Sequence, residues 1–295
     1  MIDNSVCCVV VTYNIGDRFL KCYEAIAKQV EKIIIVDNGS NEDTIKILND
    51  LSKKENTEVI YNNYNLGIAI ALNQGIKVAI SDGFEWILTM DNDSIATENM
   101  VFSMLNHFRR FNPCENIVGV FPTYVDLGYN EKDDNRIEHM KNQGYKEVNA
   151  EITSGNLIKS DIFKEVGFFE EKLFIDMVDY EFCFRVRSKG YKLVQLNDTI
   201  LYHNLGNTKV KKVLGKNIYC THHNFVRRYY ITRNRFYVWN KYKNFNFEEI
   251  KKDKKAFLKE LIKIIILEDE KIQKIKMIFK GIKDYKNNIY GKINI

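Results

Sequence analysis

The sequence predicts an α/β fold in which a mostly parallel central sheet is covered by helices on both faces and followed by a C-terminal helical extension. Three observations predict it. Short, nearly continuous apolar runs alternate with segments whose apolar residues recur at helical spacing. From about Lys216 the pattern is helical to the end of the chain. With 45% hydrophobic and 28% charged residues over 295 positions, the composition is that of a folded protein with a substantial core.

Four strand-and-helix pairs account for the first part of the chain. The strands are runs rich in β-branched residues, and each is followed by a segment with one apolar side. We expect strands at 6–11, 32–36, 58–61 and 86–90, and helices at 17–30, 41–53, 68–80 and 99–111. Right-handed crossovers between parallel strands place the carboxyl ends of the strands along one edge of the sheet, where open α/β sheets bind ligands.

The alternation changes after a fifth strand at 117–121. Residues 124–146 are polar and irregular, which predicts a loop or hairpin over the edge of the sheet. Periodic segments then return at 148–158 and 163–169, followed by a helix at 180–189 and a strand at 192–196.

The net charge of +5 is unevenly distributed. Residues 251–295 hold 13 lysines against six acidic residues, a balance of +7, so the rest of the chain sums to −2. A basic end on a nearly neutral body predicts contact with an anionic surface, such as a peripheral contact with the membrane. An ordinary solvated lysine face or a homodimer contact fits the same pattern. The segment lacks the interleaved glycine and aromatic residues of nucleic-acid-binding tails, so no nucleic-acid partner is expected.

The N-terminal residues and the cysteines predict a cytoplasmic protein. Residues 1–5 carry no Lys or Arg, the apolar run after them is too short for a signal peptide, and no stretch approaches 18 apolar residues. The six cysteines form no C-x-x-C pair, as expected for reduced thiols. With the basic C-terminal region, this leaves a peripheral position on the inner face of the cell membrane open.

Small polar or acidic residues follow three of the predicted strands. They are Thr12-Tyr13-Asn14, Asp37-Asn38-Gly39-Ser40 and Asp91-Asn92-Asp93-Ser94. A structural turn also favours Asn, Asp and Gly, but three such ends on one sheet edge indicate a site. The two carboxylates of the Asp-x-Asp sequence can converge on one hard cation, and Mg²⁺ and Mn²⁺ prefer oxygen ligands shared with substrate phosphates.

Several of these segments, in their order along the chain, resemble the motifs of family-2 inverting glycosyltransferases of the GT-A fold, and bacterial rhamnosyltransferases in particular. The resemblance covers about residues 6 to 240. Its motifs are residues 10–14 (VVTYN), 36–40 (VDNGS), 65–69 (NLGIA), 71–75 (ALNQG), 90–94 (MDNDS), 153–158 (TSGNLI), 174–185 (FIDMVDYEFCFR), 189–191 (KGY), 203–206 (HNLG) and 229–234 (YYITRN).

The resemblance implies a nucleotide-sugar site and a metal site. Asp93 is implied as the principal ligand of Mg²⁺ or Mn²⁺, with Asp91 and His203 beside it; the alternative for His203 is an ordinary hydrogen-bonded histidine. The residues implied to hold the nucleotide-diphosphate sugar are Thr12, Asn14, Asp37, Asn38, Asn65, Gly67, Asn73, Asp91 and Asn92.

The resemblance also places the catalytic base within residues 174–185. An inverting transfer needs a carboxylate to take the proton of the acceptor hydroxyl. Asp176, Asp179 and Glu181 compete for this role. Many relatives have two adjacent acids where this chain has Val178-Asp179, which leaves Asp179 as the match.

Asp179 and Glu181 each have a second expected role. Asp179 itself has an alternative role as the N-cap of the following helix, and Glu181 is expected to pair with Arg185 at i+4. The residues implied on the acceptor side are Ser154, Gly155, Asn156, Asp176 and Glu181.

The function implied is transfer of L-rhamnose from dTDP-β-L-rhamnose to a bacterial surface polysaccharide or a lipid-linked saccharide of cell-wall polysaccharide biosynthesis. A UDP-hexose or galactofuranose donor is the first alternative. A sugar nucleotidyltransferase fits less well, because the loop after the first strand, residues 12–18, has one Gly and one Arg rather than a Gly-rich triphosphate cradle. An inactive sugar-nucleotide binding protein is the third alternative. We expect a catalytic domain over 1–215, with a nucleotide-sugar half to about 120 and an acceptor half after it, and a helical region over 216–295.

Overall fold

The computed structural model of the protein describes residues 5–126, 144–203, 209–213, 216–220, 222–245 and 247–294. These residues divide into two compact units. The first comprises Met1–Glu171 and Val178–Asn204, and the second comprises Lys172–Met177 and Leu205–Ile295. The short segment 172–177 therefore belongs with the C-terminal part of the chain.

The first unit is built on a nine-stranded sheet. Its strands are β1 (Val6–Thr12), β2 (Lys32–Asp37), β3 (Thr57–Tyr61), β4 (Trp86–Asp91), β5 (Ile95–Ala96), β6 (Ile117–Asp126), β7 (Tyr145–Val148), β8 (Asn156–Lys159) and β9 (Lys192–His203). The order across the sheet is β3-β2-β1-β4-β8-β6-β9-β5, with β7 also pairing with β9. The helices are α1 (Phe19–Ala27), α2 (Glu42–Leu51), α3 (Ile68–Ser81), α4 (Met100–Arg110), α5 (Ser160–Val166) and α6 (Val178–Ser188).

Helices cover both faces of the sheet, as the sequence predicts. Alternate residues of β1 and β4 form one core with α1, α2 and α4, centred on fully buried side chains such as Ile26, Leu48 and Met104. Helix α3 packs on the other face, where Gly75 lies so close to β1 that a Cβ atom would come within 2.5 Å of the Val9 side chain. The α/β prediction is confirmed, and the near-continuous apolar strands are explained by burial on both sides.

The sheet is mixed rather than uniformly parallel. The pairs β1–β2, β2–β3, β1–β4 and β6–β9 are parallel, whereas β4–β8, β6–β8, β5–β9 and β7–β9 are antiparallel. The parallel prediction thus describes the first half of the sheet. Side-chain patterns identify strand residues, but they do not encode the direction of the partner strand.

The second unit contains a hairpin and three helices. The hairpin strands β10 (Lys209–Val213) and β11 (Lys216–Cys220) pair antiparallel, and the helices are α7 (Phe225–Lys241), α8 (Glu248–Leu267) and α9 (Lys271–Lys286). The expectation of helix from Lys216 onward was therefore wrong over the first five residues. Runs 209–213 and 216–220 both contain the β-branched residues typical of strands, which the helical interpretation overlooked.

Candidate functional site

The polar ends of the first parallel strands come together at one edge of the sheet. In the register of the sheet Thr12 lies beside Asp37, and Val11 lies beside Asp91. The three polar sequences that follow β1, β2 and β4 are therefore neighbours in the fold. Their convergence is the geometric basis of the candidate site.

Asp37 organises the loop that follows β2. Its carboxylate accepts a hydrogen bond from the Thr12 hydroxyl at 3.2 Å and from the backbone N–H groups of Gly39 and Ser40 at 3.1 and 3.0 Å. The Asp37 residue is fully buried. Because its carboxylate already has these partners, Asp37 holds the loop in a fixed conformation before any ligand arrives.

A second loop is bonded to the first. The Asn38 amide donates to Asn65 at 3.1 Å and accepts from the backbone N–H of Leu66 at 2.9 Å, while the Asn65 side chain also accepts from the N–H of Gly67. Gly39 has φ +81°, and a Cβ atom there would lie 2.6 Å from the backbone of Tyr64. Only glycine permits this approach, so the two loops form one rigid rim.

Asn14 and Asn73 occupy different kinds of position. Asn14 lies at the exposed rim, where its side-chain oxygen accepts from the backbone N–H of Asn41 at 2.8 Å. Asn73 is 1% exposed, and its amide bonds to both the N–H and the carbonyl of Phe169 at 2.9 Å and to Glu171 at 3.0 Å. The structure thus places Asn73 inside α3 as a clamp on the chain around 169–171.

Asp91, Asp93 and His203 lie close enough to share a cation. One potential ligand atom from each falls within 4.8 Å of the others, and all three residues are partly exposed. Burial, with the charge of Asp93 second, raises the pKa of the Asp91 carboxyl to about 7. Burial also lowers the pKa of His203. The two carboxylates and the imidazole form a donor set suited to a divalent ion.

A chain of hydroxyl groups fixes the orientation of His203. Its Nδ1 lies 2.8 Å from the Ser94 hydroxyl, which lies 2.8 Å from the Ser154 hydroxyl. Ser154 in turn accepts from the backbone N–H of Asp91 at 3.0 Å. The same Nδ1 lies 3.9 Å from a carboxylate oxygen of Asp91, so the hydroxyl chain holds the imidazole beside the carboxylates.

Tyr124 connects this centre to the acceptor-side residues. Its hydroxyl donates to the carbonyl of Ser154 at 3.0 Å, and its ring meets that of His203 edge to face with centroids 6.4 Å apart. Burial raises the pKa of Tyr124 far above its ordinary value, and the charges of Glu151, Asp91 and Asp179 act in the same direction. The charges of all three acids therefore act on this one hydroxyl.

The three candidates for the base differ in their partners. Asp179 is the second residue of α6, which begins at Val178, so it is not the N-cap; its carboxylate, on a partly exposed residue, accepts from the N–H of Tyr180 at 2.8 Å. Glu181 is fully buried and makes a bidentate ion pair with Arg185, at 3.1 and 2.8 Å, which confirms the predicted i+4 pair. Asp176 lies in the second unit and accepts from Arg227 at 3.0 Å.

The segment 172–177 of the second unit has a strained backbone. Phe174, Asp176 and Met177 all have φ between 61° and 65°. The buried Asn234 amide donates to the carbonyls of Leu173, Ile175 and Asp176 at 2.7, 2.7 and 3.0 Å. Non-glycine residues in this region cost about 1 to 3 kcal/mol each and persist only where their surroundings fix them.

Arg233 completes the support of this segment. Its guanidinium is fully buried and donates to the carbonyls of Lys172, Leu173 and Gly291, at 3.3, 3.4 and 2.8 Å. The role of Arg233, which the sequence leaves open, is thus to bind backbone carbonyls within the second unit.

The Ser154-Gly155-Asn156 turn is held by packing. Gly155 has φ +79°, and a Cβ atom there would meet the Pro122 ring at 2.7 Å. Glycine at this position therefore permits the close approach of the turn to Pro122. Asn156 is 2% exposed, and its side-chain oxygen accepts no hydrogen bond from the residues that the structure describes. Asn92, between the two candidate ligands, is partly exposed.

A family model decides the class of protein. The model of glycosyl transferase family 2 matches residues 7–167, more than half of the chain and all of the strand ends described above. The chain belongs to this family. This glycosyltransferase is 29% identical to the dTDP-rhamnosyl transferase RfbF of Shigella flexneri, over 81% of each protein.

Solved structures of glycosyltransferases share the GT-A fold of this chain. The Staphylococcus aureus protein TarS, solved with UDP-GlcNAc, superposes with a TM-score of 0.60 at 16% identity, over 97% of this chain and 82% of TarS. A mannosyltransferase from Pyrobaculum calidifontis, solved with GDP-Man and Mn²⁺, superposes with a TM-score of 0.56 at 13% identity, over 80% of this chain and 63% of the other. Among the described residues, no helix is long and apolar enough to cross a membrane.

Sequence reasoning missed three residues of this region: Ser94, Tyr124 and Glu151. Ser94 belongs to a quoted motif, and its position directly after Asp93 was the available signal. Tyr124 fell in the stretch predicted to be irregular, although β6 continues to Asp126. The burial that raises the pKa of Glu151 arises from the fold and leaves no mark on the local sequence.

Proposed function

We propose that this glycosyltransferase moves L-rhamnose, with inversion at the anomeric carbon, from dTDP-β-L-rhamnose to a bacterial cell-surface polysaccharide or a lipid-linked saccharide of cell-wall biosynthesis. The observation that carries the donor assignment is the 29% identity to a dTDP-rhamnosyl transferase over 81% of both chains. We further propose that the enzyme works in the cytoplasm, at the inner face of the membrane, where such acceptors would be presented.

The nucleotide is proposed to bind on the rim formed by the loops after β2 and before α3. Support comes from the hydrogen bonds that Asp37 accepts from the Gly39 N–H and that Asn38 donates to Asn65, because a site ordered in advance spends less binding energy on its own ordering. Thr12, Asn14 and Gly67 extend this rim, and Asn92 lies at its boundary with the metal site. Asn73 supports the site through its bonds to the chain around Phe169.

Asp93, Asp91 and His203 are proposed to hold Mg²⁺ or Mn²⁺. The ion would supply positive charge that offsets the charge developing on the diphosphate leaving group. The chain's own contribution is to place two carboxylates and one oriented imidazole within 4.8 Å. Ser94 and Ser154 maintain the imidazole orientation through their hydrogen bonds.

Asp179 is proposed as the general base. It would take the proton of the acceptor hydroxyl as that oxygen attacks the anomeric carbon from the side opposite the leaving diphosphate. In support, Asp179 is partly exposed, and its charge acts on the Tyr124 hydroxyl beside the candidate metal site. Glu181, by contrast, is fully buried in its ion pair with Arg185. Ser154, Gly155 and Asn156 are proposed to shape the acceptor side, with Asp176 and Glu181 supporting it from their ion pairs.

A donor panel tests this proposal. The protein is incubated with Mn²⁺ or Mg²⁺ and one of dTDP-β-L-rhamnose, UDP-glucose, UDP-N-acetylglucosamine or UDP-galactofuranose, and thermal stability and nucleoside diphosphate release are measured. We expect dTDP-rhamnose to stabilise the fold most, by mass action, and to be turned over only with the metal. Preferential stabilisation and turnover with a UDP-sugar would reject dTDP-rhamnose as the donor. The protein would still be a glycosyltransferase. Full turnover in excess EDTA would reject the metal site.

A further inference from the structure

Helix α8 carries a stripe of large apolar side chains on its solvent side. Leu258, Ile262, Ile265 and Ile266 are between 57% and 62% exposed. Their spacing of four, three and one residues places them on one side of a helix. A contiguous apolar face that remains in water is unfavourable, and such faces usually mark an interaction surface.

Helix α8 also packs against the rest of the second unit through another side. The opposite side of α8 buries Ile250, Phe257 and Ile264. Phe257 packs edge to face against Phe236 and Trp239 of α7, with ring centroids 6.0 and 5.7 Å apart. The helix therefore has two apolar faces, one docked within the second unit and one exposed.

The charges of α8 are sorted between these faces. Asp253 and Glu260 turn inward and pair with Arg235 at 3.0 and 2.8 Å, and Asp253 also accepts from the Trp239 indole. On the outer side, Lys255 and Lys259 are exposed and lie one turn apart beside the apolar stripe. The inner acids are neutralised within the unit. The outer face therefore presents apolar groups with Lys255 and Lys259 along the helix and the exposed Asp269 and Glu270 just beyond its C-terminal end.

We propose that this outer face of α8 docks on an anionic lipid surface. Amphipathic helices that lie in the plane of a membrane combine an apolar side with flanking lysines, whose ammonium groups reach the lipid phosphates. Helix α9 has the same combination on its exposed residues, with Ile272 73% and Phe279 67% exposed. The inference concerns where the enzyme sits, and it does not depend on which sugar is transferred.

The charge pattern favours lipid over a second copy of the chain. In a two-fold dimer this surface would meet its own image, and its charge is net positive. Four of the six acids in residues 251–295 pair within the second unit, namely Asp253, Glu260, Glu268 and Asp284, which leaves the exposed Asp269 and Glu270 against a larger number of exposed lysines. An anionic leaflet attracts each lysine near its surface by about 1 kcal/mol, which is about fivefold in binding per lysine. Electrostatics and burial of the stripe therefore act together only on the lipid surface.

Vesicle flotation of the full chain tests the proposal. Wild type is mixed with vesicles of phosphatidylglycerol and phosphatidylcholine in equal parts, or of phosphatidylcholine alone. We expect strong flotation with the anionic vesicles and at least tenfold less with phosphatidylcholine or in the double variant Ile262→Glu/Ile265→Glu. The matched control is Phe102→Glu in α4, whose side chain is 63% exposed but lies in the first unit; it should float like wild type.

A second variant separates charge from burial. Lys255→Gln/Lys259→Gln keeps the apolar stripe and should reduce anionic-vesicle binding by about 25-fold, the product of two lysines. Thermal melts establish that all variants fold. Equal flotation of wild type and the double glutamate variant would overturn the proposal. So would a wild-type dimer in sedimentation velocity that Ile262→Glu/Ile265→Glu dissociates, because the face would then be an interface between copies.

Discussion

At the scale of single residues, the candidate metal site is a place where the protein keeps like charges together. Burial and the neighbouring Asp93 raise the pKa of Asp91 to about 7, and no ion pair with Lys or Arg is recorded for these carboxylates among the described residues. The arrangement disfavours the doubly ionised form until a cation offsets it. That is the behaviour expected of ligands rather than of a structural turn.

Asp93→Asn removes one charged ligand and should lower metal-dependent transfer by about 100-fold or more, since even outer partners of metal ligands change activity by 10- to 100-fold. The measurement is kcat/KM for the donor at saturating Mn²⁺. Glu98→Gln, an exposed acid of the same unit, is the control and should leave the rate unchanged. Wild-type activity in Asp93→Asn would exclude it as a ligand.

Ser94→Ala tests the hydroxyl chain that orients His203. Loss of the 2.8 Å contact to Nδ1 frees the imidazole to rotate, so metal affinity should fall about 10- to 100-fold while kcat at high Mn²⁺ recovers. Titration of activity against Mn²⁺ measures this. Ser103→Ala, a serine in α4 that contacts Thr199 rather than the site, is the matched control. An unchanged Mn²⁺ requirement in Ser94→Ala would mean that the hydroxyl chain has no role in metal binding.

The sequence identified the residues of this site better than their supports. Asp91, Asp93 and Asp37 follow their own strands, so local pattern and resemblance are enough to find them. Ser154 reaches Ser94 across 60 positions of sequence, and His203 reaches Ser94 across 109. Such contacts are set by the pairing of β4 with β8 and of β5 with β9, which no local pattern contains.

At the scale of elements, the support of segment 172–177 by α7 is the feature with the clearest consequence for activity. This segment immediately precedes α6 and the proposed base Asp179 in the chain. Its three residues with positive φ are retained because Asn234 and Arg233 bind its carbonyls. Strain that is held in place by a buried pair of side chains is typical of functional segments.

Asn234→Ala should release this segment. The variant removes the side-chain donor of the Ile175 and Asp176 carbonyls, at about 1 to 3 kcal/mol each, while the Leu173 carbonyl keeps its bond from Arg233. The segment should therefore relax toward ordinary backbone conformations. We expect kcat to fall at least tenfold with little change in the donor KM, because the rim around Asp37 is untouched. Asn240→Ala, an exposed asparagine of the same helix, should behave as wild type. A folded Asn234→Ala variant with wild-type kcat would contradict a positioning role.

Element lengths were less predictable than element types. β6 and β9 run to Asp126 and His203, beyond the strands expected to end at 121 and 196. The polar residues Asn197 and Asp198 follow the apolar run of β9 without ending the strand. The pairing of β6 with β9 shifts register between Phe121 and Thr123 and then continues. An irregularity in the apolar pattern predicts the end of a strand. In the structure the strand continues past the irregularity, and its last residue, His203, lies at the candidate site.

At the scale of the whole molecule, the two compact units are not continuous segments of the chain. Residues 172–177 belong with the C-terminal unit, and the first unit resumes at Val178. Sequence patterns indicated a change in character near 215 but no return of an earlier segment. The reason is that segment 172–177 is held in the second unit by Arg233 and Asn234 of α7. The aromatic sequence around these two residues also fits an ordinary packing helix, so it does not reveal this contact.

The free energy of unfolding of the whole chain should depend on the ionisation of Asp91. Folding raises the pKa of Asp91 from 3.8 to about 7, so its neutral form favours the folded state at low pH, and this contribution is lost as pH rises through about 7. In EDTA at pH 8, Asp91→Asn should therefore melt at a higher temperature than wild type, and the gap should close as pH falls below about 4.

Added Mn²⁺ should stabilise wild type but much less the variant, because an ion that binds only the folded site shifts the equilibrium by mass action. Glu98→Gln controls for loss of a negative charge elsewhere in the unit. A wild type that is the more stable protein at pH 8 without metal would show that Asp91 is kept for folding rather than for the ion.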